Sequence, residues 1–191
     1  MKKELIVAVV AAGVIGFIAY NHYKKTDEDM AMSAVEARSA SFEGFTKLNN
    51  KTFENLQVMG DAELENVQIT ADATITGMLT AKKLIAKNLQ VIGNANLEQA
   101  TVEVAQITGM LDAKGCSIQE LSLVAQTAML DACKVKTIVV KKVEGYEKPQ
   151  ILELNNTQVE GDVTFEAGSG EVALKGDSRI AGAIVGGAIK Q

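Results

Sequence analysis

LQVIGNANLEQATVEV, residues 89–104, has two near-copies in the chain: LQVMGDAELENVQI at 56–69 and LSLVAQTAMLDACKV at 121–135. Their starts, Leu56, Leu89 and Leu121, set a period of roughly 32–33 residues. A second marker, ITGML, occurs at Ile75–Leu79 and returns at the same interval as Ile107–Leu111. Two markers that share one period identify an internal repeat, and a period of this length points to stacked units rather than a single globular core.

A finer period lies inside the repeat. Aliphatic or small residues recur in pairs two apart, among them Leu56/Val58, Ala62/Leu64, Val67/Ile69, Ala73/Ile75, Leu79/Ala81, Leu84/Ala86 and Leu89/Val91. The series continues with Ala95/Leu97, Val102/Val104, Cys116/Ile118, Leu121/Leu123, Cys133/Val135 and Ile138/Val140. Spacing by two puts both members on one face of a strand. The pairs return at a step of about 5.5, so three make a unit of about 16–17 and six make the longer repeat. Each pair is therefore expected on a very short strand, both side chains inward, with polar residues such as Asp61, Lys82, Asn94 and Gln126 at the corners. Three strands close one coil, and coils stack at the strand spacing of about 4.8 Å. The expected fold is all-β, a right-handed three-sided parallel β-helix with about 16–17 residues per coil and roughly eight or nine coils.

Other folds fit less well. Pairs two apart at this step make no 3.6-residue stripe, which argues against helices. Ala62–Asn66 and Ala95–Gln99 resemble pentapeptide repeats, and Leu79, Leu84 and Leu89 keep a strict step of five. Such repeats imply four-sided coils of twenty, and the observed period is not a multiple of twenty. Toward the C-terminus, Val159, Val163, Phe165, Val172, Leu174 and Ile180 predict further coils with tight corners at Gly161-Asp162 and Gly176-Asp177. Tyr146–Gln150 breaks the register and is expected to protrude as a loop.

Composition agrees with thin coils. Apolar residues make up 47% of the chain, but aromatics only 4%, with no Trp. A globular core leans on large rings, whereas a thin coil has room only for small and medium side chains. Net charge is −5. Residues 1–25 carry +3, which leaves −8 on the remainder, a poor footing for nucleic acid. One Pro, at Pro149, and no Pro/Gly/Ser linker indicate one folded domain.

Leu5–Tyr20 (LIVAVVAAGVIGFIAY) is uncharged and flanked by Lys2, Lys3, Lys24 and Lys25. As a helix to Tyr23 it would span about 28 Å, close to a bilayer core, with Tyr20, His22 and Tyr23 at the interface. An uncleaved signal anchor is the expectation, because NHYKKTDEDM follows the apolar run where a cleavage site would lie. A cleaved signal and a buried soluble helix are the other readings. The predicted division is a transmembrane signal anchor over 1–25, a spacer over 26–41 and the solenoid over 42–191. The amino terminus tips the charge balance toward N-in, which would place the solenoid outside the cytoplasm.

No catalytic, cofactor-binding or metal-binding residue is assigned. The single His, His22, lies beside the apolar segment, so a hexapeptide-type acyltransferase, which needs a His in its coils, is disfavoured. Polysaccharide-cleaving β-helices carry long loops with clustered acids and bases, and only Glu144–Lys148 approaches one. Asp61, Glu63 and Glu65 read as a solvated face. Thr74-x-Thr76 is not repeated coil after coil, as an ice-binding row would be. Gly168-Ser169-Gly170 is a turn rather than a phosphate loop. Cys116 and Cys133 are one coil apart and are expected to stack inward as thiols; parallel Cβ vectors suit a disulfide poorly.

The coils written Val58-Met59-Gly60-Asp61-Ala62-Glu63-Leu64, Val91-Ile92-Gly93-Asn94-Ala95-Asn96-Leu97 and Val159-Glu160-Gly161-Asp162-Val163-Thr164-Phe165 resemble those of the bactofilins, polymer-forming bacterial cytoskeletal proteins. That resemblance implies end-to-end self-assembly near a membrane, without a nucleotide. The expected function is a structural, non-enzymatic solenoid, held at the bacterial inner membrane by Leu5–Tyr20, single-pass, with the solenoid more readily periplasmic. It would self-associate through its ends or scaffold protein partners. The alternative is a periplasmic or surface binding module, an adhesin or an envelope-complex subunit.

Overall fold

The computed structural model describes Val9–Val10, Phe17–Ile18 and residues 37–190. Residues 37–190 form a parallel β-solenoid with three strand columns, called here faces one, two and three, each of nine rungs. One coil shows the plan. Strand Leu79–Lys82 gives face one, and strand Ile85–Ile92 bends to give faces two and three. Leu79, Ala81, Leu84, Ala86, Leu89 and Val91 all point inward and are buried. The alternation within each strand puts the intervening residues in solvent. Neighbouring coils pair in register, as in Leu79↔Ala95 and Leu111↔Ala95 on face one.

The first inward positions of the face-one rungs are Thr46, Ala62, Leu79, Ala95, Leu111, Ala128, Leu152, Val172 and Ile189. Equivalent positions in early coils are thus 16 or 17 apart in sequence. The two coils after Ala128 are longer, stepping to Leu152 and then to Val172. The extra length of the first is the loop between Val140 and Ile151, which holds Tyr146 and Pro149. At its base Gln150 is buried, and its Nε2 donates to the carbonyls of Ala125 (2.7 Å) and Lys141 (2.8 Å).

Two kinds of corner close each coil. The corner between faces one and two carries one left-handed residue per coil, at Asn50, Asn66, Lys83, Gln99, Gly115, Ala132, Asn156 and Gly176, with φ between 47° and 63°. Asn accepts this conformation more readily than Lys or Ala.

The corner between faces three and one is built on stacked glycines: Gly44, Gly60, Gly77, Gly93 and Gly109. A Cβ on Gly60, Gly77, Gly93 or Gly109 would run into the backbone carbonyl of the glycine one coil before it. Around these glycines the corners alternate. Asp61 Oδ1 accepts the Met78 amide at 3.1 Å, and Asn94 Oδ1 accepts that of Met110 at 3.3 Å. Coils with Asp or Asn after the glycine thus alternate with coils that have Met there, so the long sequence repeat is two coils.

One inward pair expected from sequence is corrected. Val102 is buried, but its inward partner is Ala100; Val104 lies in the register of Asn88 and Glu120, at the bend between faces two and three. The step of five slips at that bend, and a β-branched residue on the outer side mimics an inward pair. The predicted C-terminal coils are present, with Val159, Val163, Phe165 and Val172 buried.

The first parallel strand, Ala37–Glu43, begins inside the stretch read as spacer. Apart from Val9–Val10 and Phe17–Ile18, two short strands paired antiparallel with Val9 opposite Ser41, the anchor read over 1–25 lies outside the described residues. No helix among the described residues is long and apolar enough to cross a membrane.

The glycine column sets a test. Gly77→Ala forces a methyl into a backbone carbonyl at a φ that L-residues avoid, and is expected to cost roughly 2–4 kcal/mol. Gly115→Ala, whose added Cβ would meet nothing nearer than the Gln99 side chain at 3.7 Å, should cost about 1 kcal/mol. Urea unfolding midpoints of the two variants compare them directly, and equal shifts would refute the stacked-glycine constraint.

Candidate functional site

The described residues hold no group of three or more His, Cys, Asp or Glu placed to bind a metal ion. His22 lies outside them. What the coils do concentrate is a buried heteroatom column, one uncharged face, and unpaired strand edges at the end of the rod.

The column stands just inside the left-handed corner. In early coils its members are Val67, Leu84 and Ala100; later they become Cys116, Cys133, Thr157 and Ser178. The two cysteines stack on adjacent rungs, as expected from their spacing, and both are free thiols. Each heteroatom serves the coil before it. Cys133 Sγ accepts the Cys116 amide at 3.3 Å, Thr157 Oγ1 accepts that of Cys133 at 3.1 Å, and Ser178 Oγ accepts that of Thr157 at 3.1 Å. Each also donates to a carbonyl: Cys133 Sγ lies 3.2 Å from that of Asp131, and Thr157 Oγ1 2.9 Å from that of Asn155. The side-chain hydrogen bond between the two thiols, and after it burial, holds the Cys133 thiol above its ordinary range against the opposing pull of the Cys116 amide, so it stays protonated at neutral pH. The same thiol–thiol bond draws Cys116 below its ordinary value, but both groups are buried away from solvent, which makes them packing groups rather than nucleophiles. Sequence spacing exposes the cysteines but not Thr157 and Ser178, because the longer later coils carry these out of the early register.

Face three is different in charge from its neighbours. One outward line runs Gln57, Thr74, Gln90, Gln106, Ser122, Val139, Thr164, and a second, beside the glycine corner, runs Met59, Thr76, Ile92, Thr108, Val124. Over these rungs neither line contains an acid or a base, but the second is bounded by charge: Glu43 lies in register with Met59 at one end, and Lys141 then Glu166 follow Val124 at the other. Asp72 and Glu120 stand at the bend, on the far margin of the face. Thr74 and Thr76 are flanked by Gln57 and Met59 on one rung and Gln90 and Ile92 on the next, so no threonine row forms. A shallow depression of about 510 Å³ borders this face over Asp72, Thr74, Asn88, Gln90 and Gln106. Asn88 Nδ2 donates to Asp72 Oδ1 at 2.8 Å along its rim. Face one, by contrast, is charged on successive rungs, with Lys47 on Glu63 at 2.7 Å and Lys175 on Glu153 at 2.7 Å.

The last rung completes the inventory. Gly187–Ile189 pairs with Gly170–Lys175 on one side, and no strand covers its other side among the described residues. Ile189 and Val185 are about half exposed there. Comparison with family models, curated proteins and solved structures returns no match for this chain.

The thiol column is open to test. In the folded protein neither Cys116 nor Cys133 should react with Ellman's reagent, whereas both should react at once in denaturant. Thr157→Val keeps the volume but leaves the buried Cys133 amide without its acceptor and removes the hydroxyl donor shared by the Leu130 and Asn155 carbonyls, and should cost about 1–3 kcal/mol. A variant as stable as the parent would show that these bonds are dispensable.

Proposed function

We propose that the chain is a structural protein, a tethered β-solenoid that assembles end to end in the manner of the bactofilins. The observation that carries this reading is the open last rung, Gly187–Ile189, with its unpaired backbone groups and exposed Ile189. An unprotected strand edge is a template for another chain, and Thr46–Asn49, the first face-one rung among the described residues, has the matching parallel spacing. Soluble β-proteins ordinarily blunt such edges with lysine, proline or a covering element. Gly187, Ala188 and Ile189 contribute no blocking group, and Lys190 beside them is drawn back onto Glu171 at 3.1 Å. Right-handed winding, the sense that parallel crossovers adopt, belongs to the same reading. So does the tether: the lysine-flanked Leu5–Tyr20 run supports attachment to a bacterial inner membrane, with the solenoid on the periplasmic side.

Negative-stain electron microscopy of the full chain in mild detergent tests the axial contact. Nine rungs at about 4.8 Å make a protomer about 40 Å long. Rods several times that length are expected, shortened toward single protomers by Ile189→Lys, which puts a solvated charge on the growing edge. Monodisperse rods of single-protomer length in the parent protein would overturn the polymer reading and leave a monomeric binding module in its place.

A further inference from the structure

We propose that face three is a lateral interface through which two copies of this chain pair antiparallel, face to face. Three features lead there. The first is charge. The chain beyond residue 25 is strongly acidic, so two copies repel along most approaches. The two outward lines of face three, from Gln57 to Thr164 and from Met59 to Val124, carry no charged residue. It is the surface on which two identical acidic rods meet with the least opposition of like charges. Asp72 and Glu120 sit at the bend, where the rods curve apart and solvent screens them, and Glu43 and Glu166 stand at the two ends of the second line, away from the proposed axis.

The second is shape. Along the glycine corner large and small residues alternate rung by rung: Met59, Thr76, Ile92, Thr108, Val124. Met59 and Ile92 are about half exposed. A two-fold axis between the Ile92 and Thr108 rungs lays Ile92 against Thr108 of the second copy and Thr76 against its Val124. Ile92 and Val124 then each meet a threonine, and Met59 comes against the aliphatic stem of Lys141. The same axis sets Gln90 opposite Gln106, two amides that can each donate and accept. Such an arrangement is isologous and closes on itself.

The third is size. Seven rungs by one face width bury on the order of 500 Å² per copy, or about 1,000 Å² in all, near the lower bound for a specific contact. Met78 and Met110, exposed just past the glycine corner, widen the patch. The pairing goes beyond end-to-end assembly and does not depend on it.

Site-directed cross-linking of the full chain tests it, and the buried native thiols do not compete. Gln90→Cys lies next to the axis and should give covalent dimer with a short bis-maleimide, at tenfold or greater yield over Asn96→Cys on face one. Gln57→Cys lies about five rungs, or about 24 Å, from its mate in the antiparallel pair and should not cross-link. Gln90→Lys with Gln106→Lys should abolish the dimer detected by sedimentation, while Gln90→Lys with Gln106→Glu should restore it, circular dichroism being unchanged in both. Equal cross-linking from Gln90→Cys and Asn96→Cys, strong cross-linking from Gln57→Cys, or insensitivity to the paired lysines would overturn the proposal. Filament length by microscopy reports the axial contact separately: lysines on face three should narrow filaments without shortening them.

Discussion

Every position in the coils is held one strand spacing, about 4.8 Å, above its counterpart in the previous coil. That single constraint decides which residues each position accepts. Inside, a side chain packs on its counterparts one strand spacing above and below, often large on small as in Ala62, Leu79, Ala95 and Leu111, so aliphatic and small residues fill the columns and large rings are scarce. Phe165 is the informative exception. Its ring lies over Gly170 and Gly187, where any Cβ would collide with it, so one ring consumes the side-chain space of two later positions. Outside, a column of like charges would repel itself. Face one instead sets Lys47 on Glu63, Lys82 near Glu98 and Lys175 on Glu153. Each such exposed pair contributes little by itself, and what matters is that no rung stacks a charge on its own kind at those points.

The same constraint explains why so much of the fold is legible in the chain and where legibility fails. Inward pairs two apart can be read directly, because the core alternation and the stacking both act on neighbouring residues. The corners cannot. Lys83 and Ala132 adopt left-handed backbone that their side chains disfavour, and only their alignment with Asn50, Asn66 and Asn156 explains why they do. Val104 is misread for a related reason: the bend between faces two and three consumes one extra residue, and nothing in the local pattern marks it. The stacked cysteines are visible from a single one-coil interval, yet their continuation in Thr157 and Ser178 is hidden by the loop that lengthens the coil between them. The long period is plain, but its cause is not, since the alternation of Asp61 and Asn94 with Met78 and Met110 lies in hydrogen bonds between coils.

A surface made of columns is chemically coarse. It offers stripes rather than a pocket of convergent groups, because a residue placed on one rung lies among its neighbours' equivalents. Catalysis asks for unlike groups within about 3 Å of one point, and a column supplies like groups one strand spacing apart. The one place where the stacking is interrupted by a long excursion, the loop between Val140 and Ile151, is pinned by Gln150 to two backbone carbonyls. Those bonds use the amide for structure. Stripes suit extended contacts, and extended contacts are what assembly requires.

The two proposed contacts differ in symmetry, and that difference would give the assembly its form. The ends of the rod are unlike: one carries Thr46–Asn49, the first face-one rung among the described residues, the other the glycine-rich edge of Gly187–Ile189. Joining them is heterologous, and a heterologous contact between straight rods propagates without closing. The lateral contact proposed on face three would be self-complementary and would saturate at two. An assembly using both would be a double filament of limited width and open length, with its strands running in opposite directions. Antiparallel strands leave the filament without a net polarity. Each end would then expose one edge of either kind, so growth would proceed from both ends alike and would need no nucleotide to bias it.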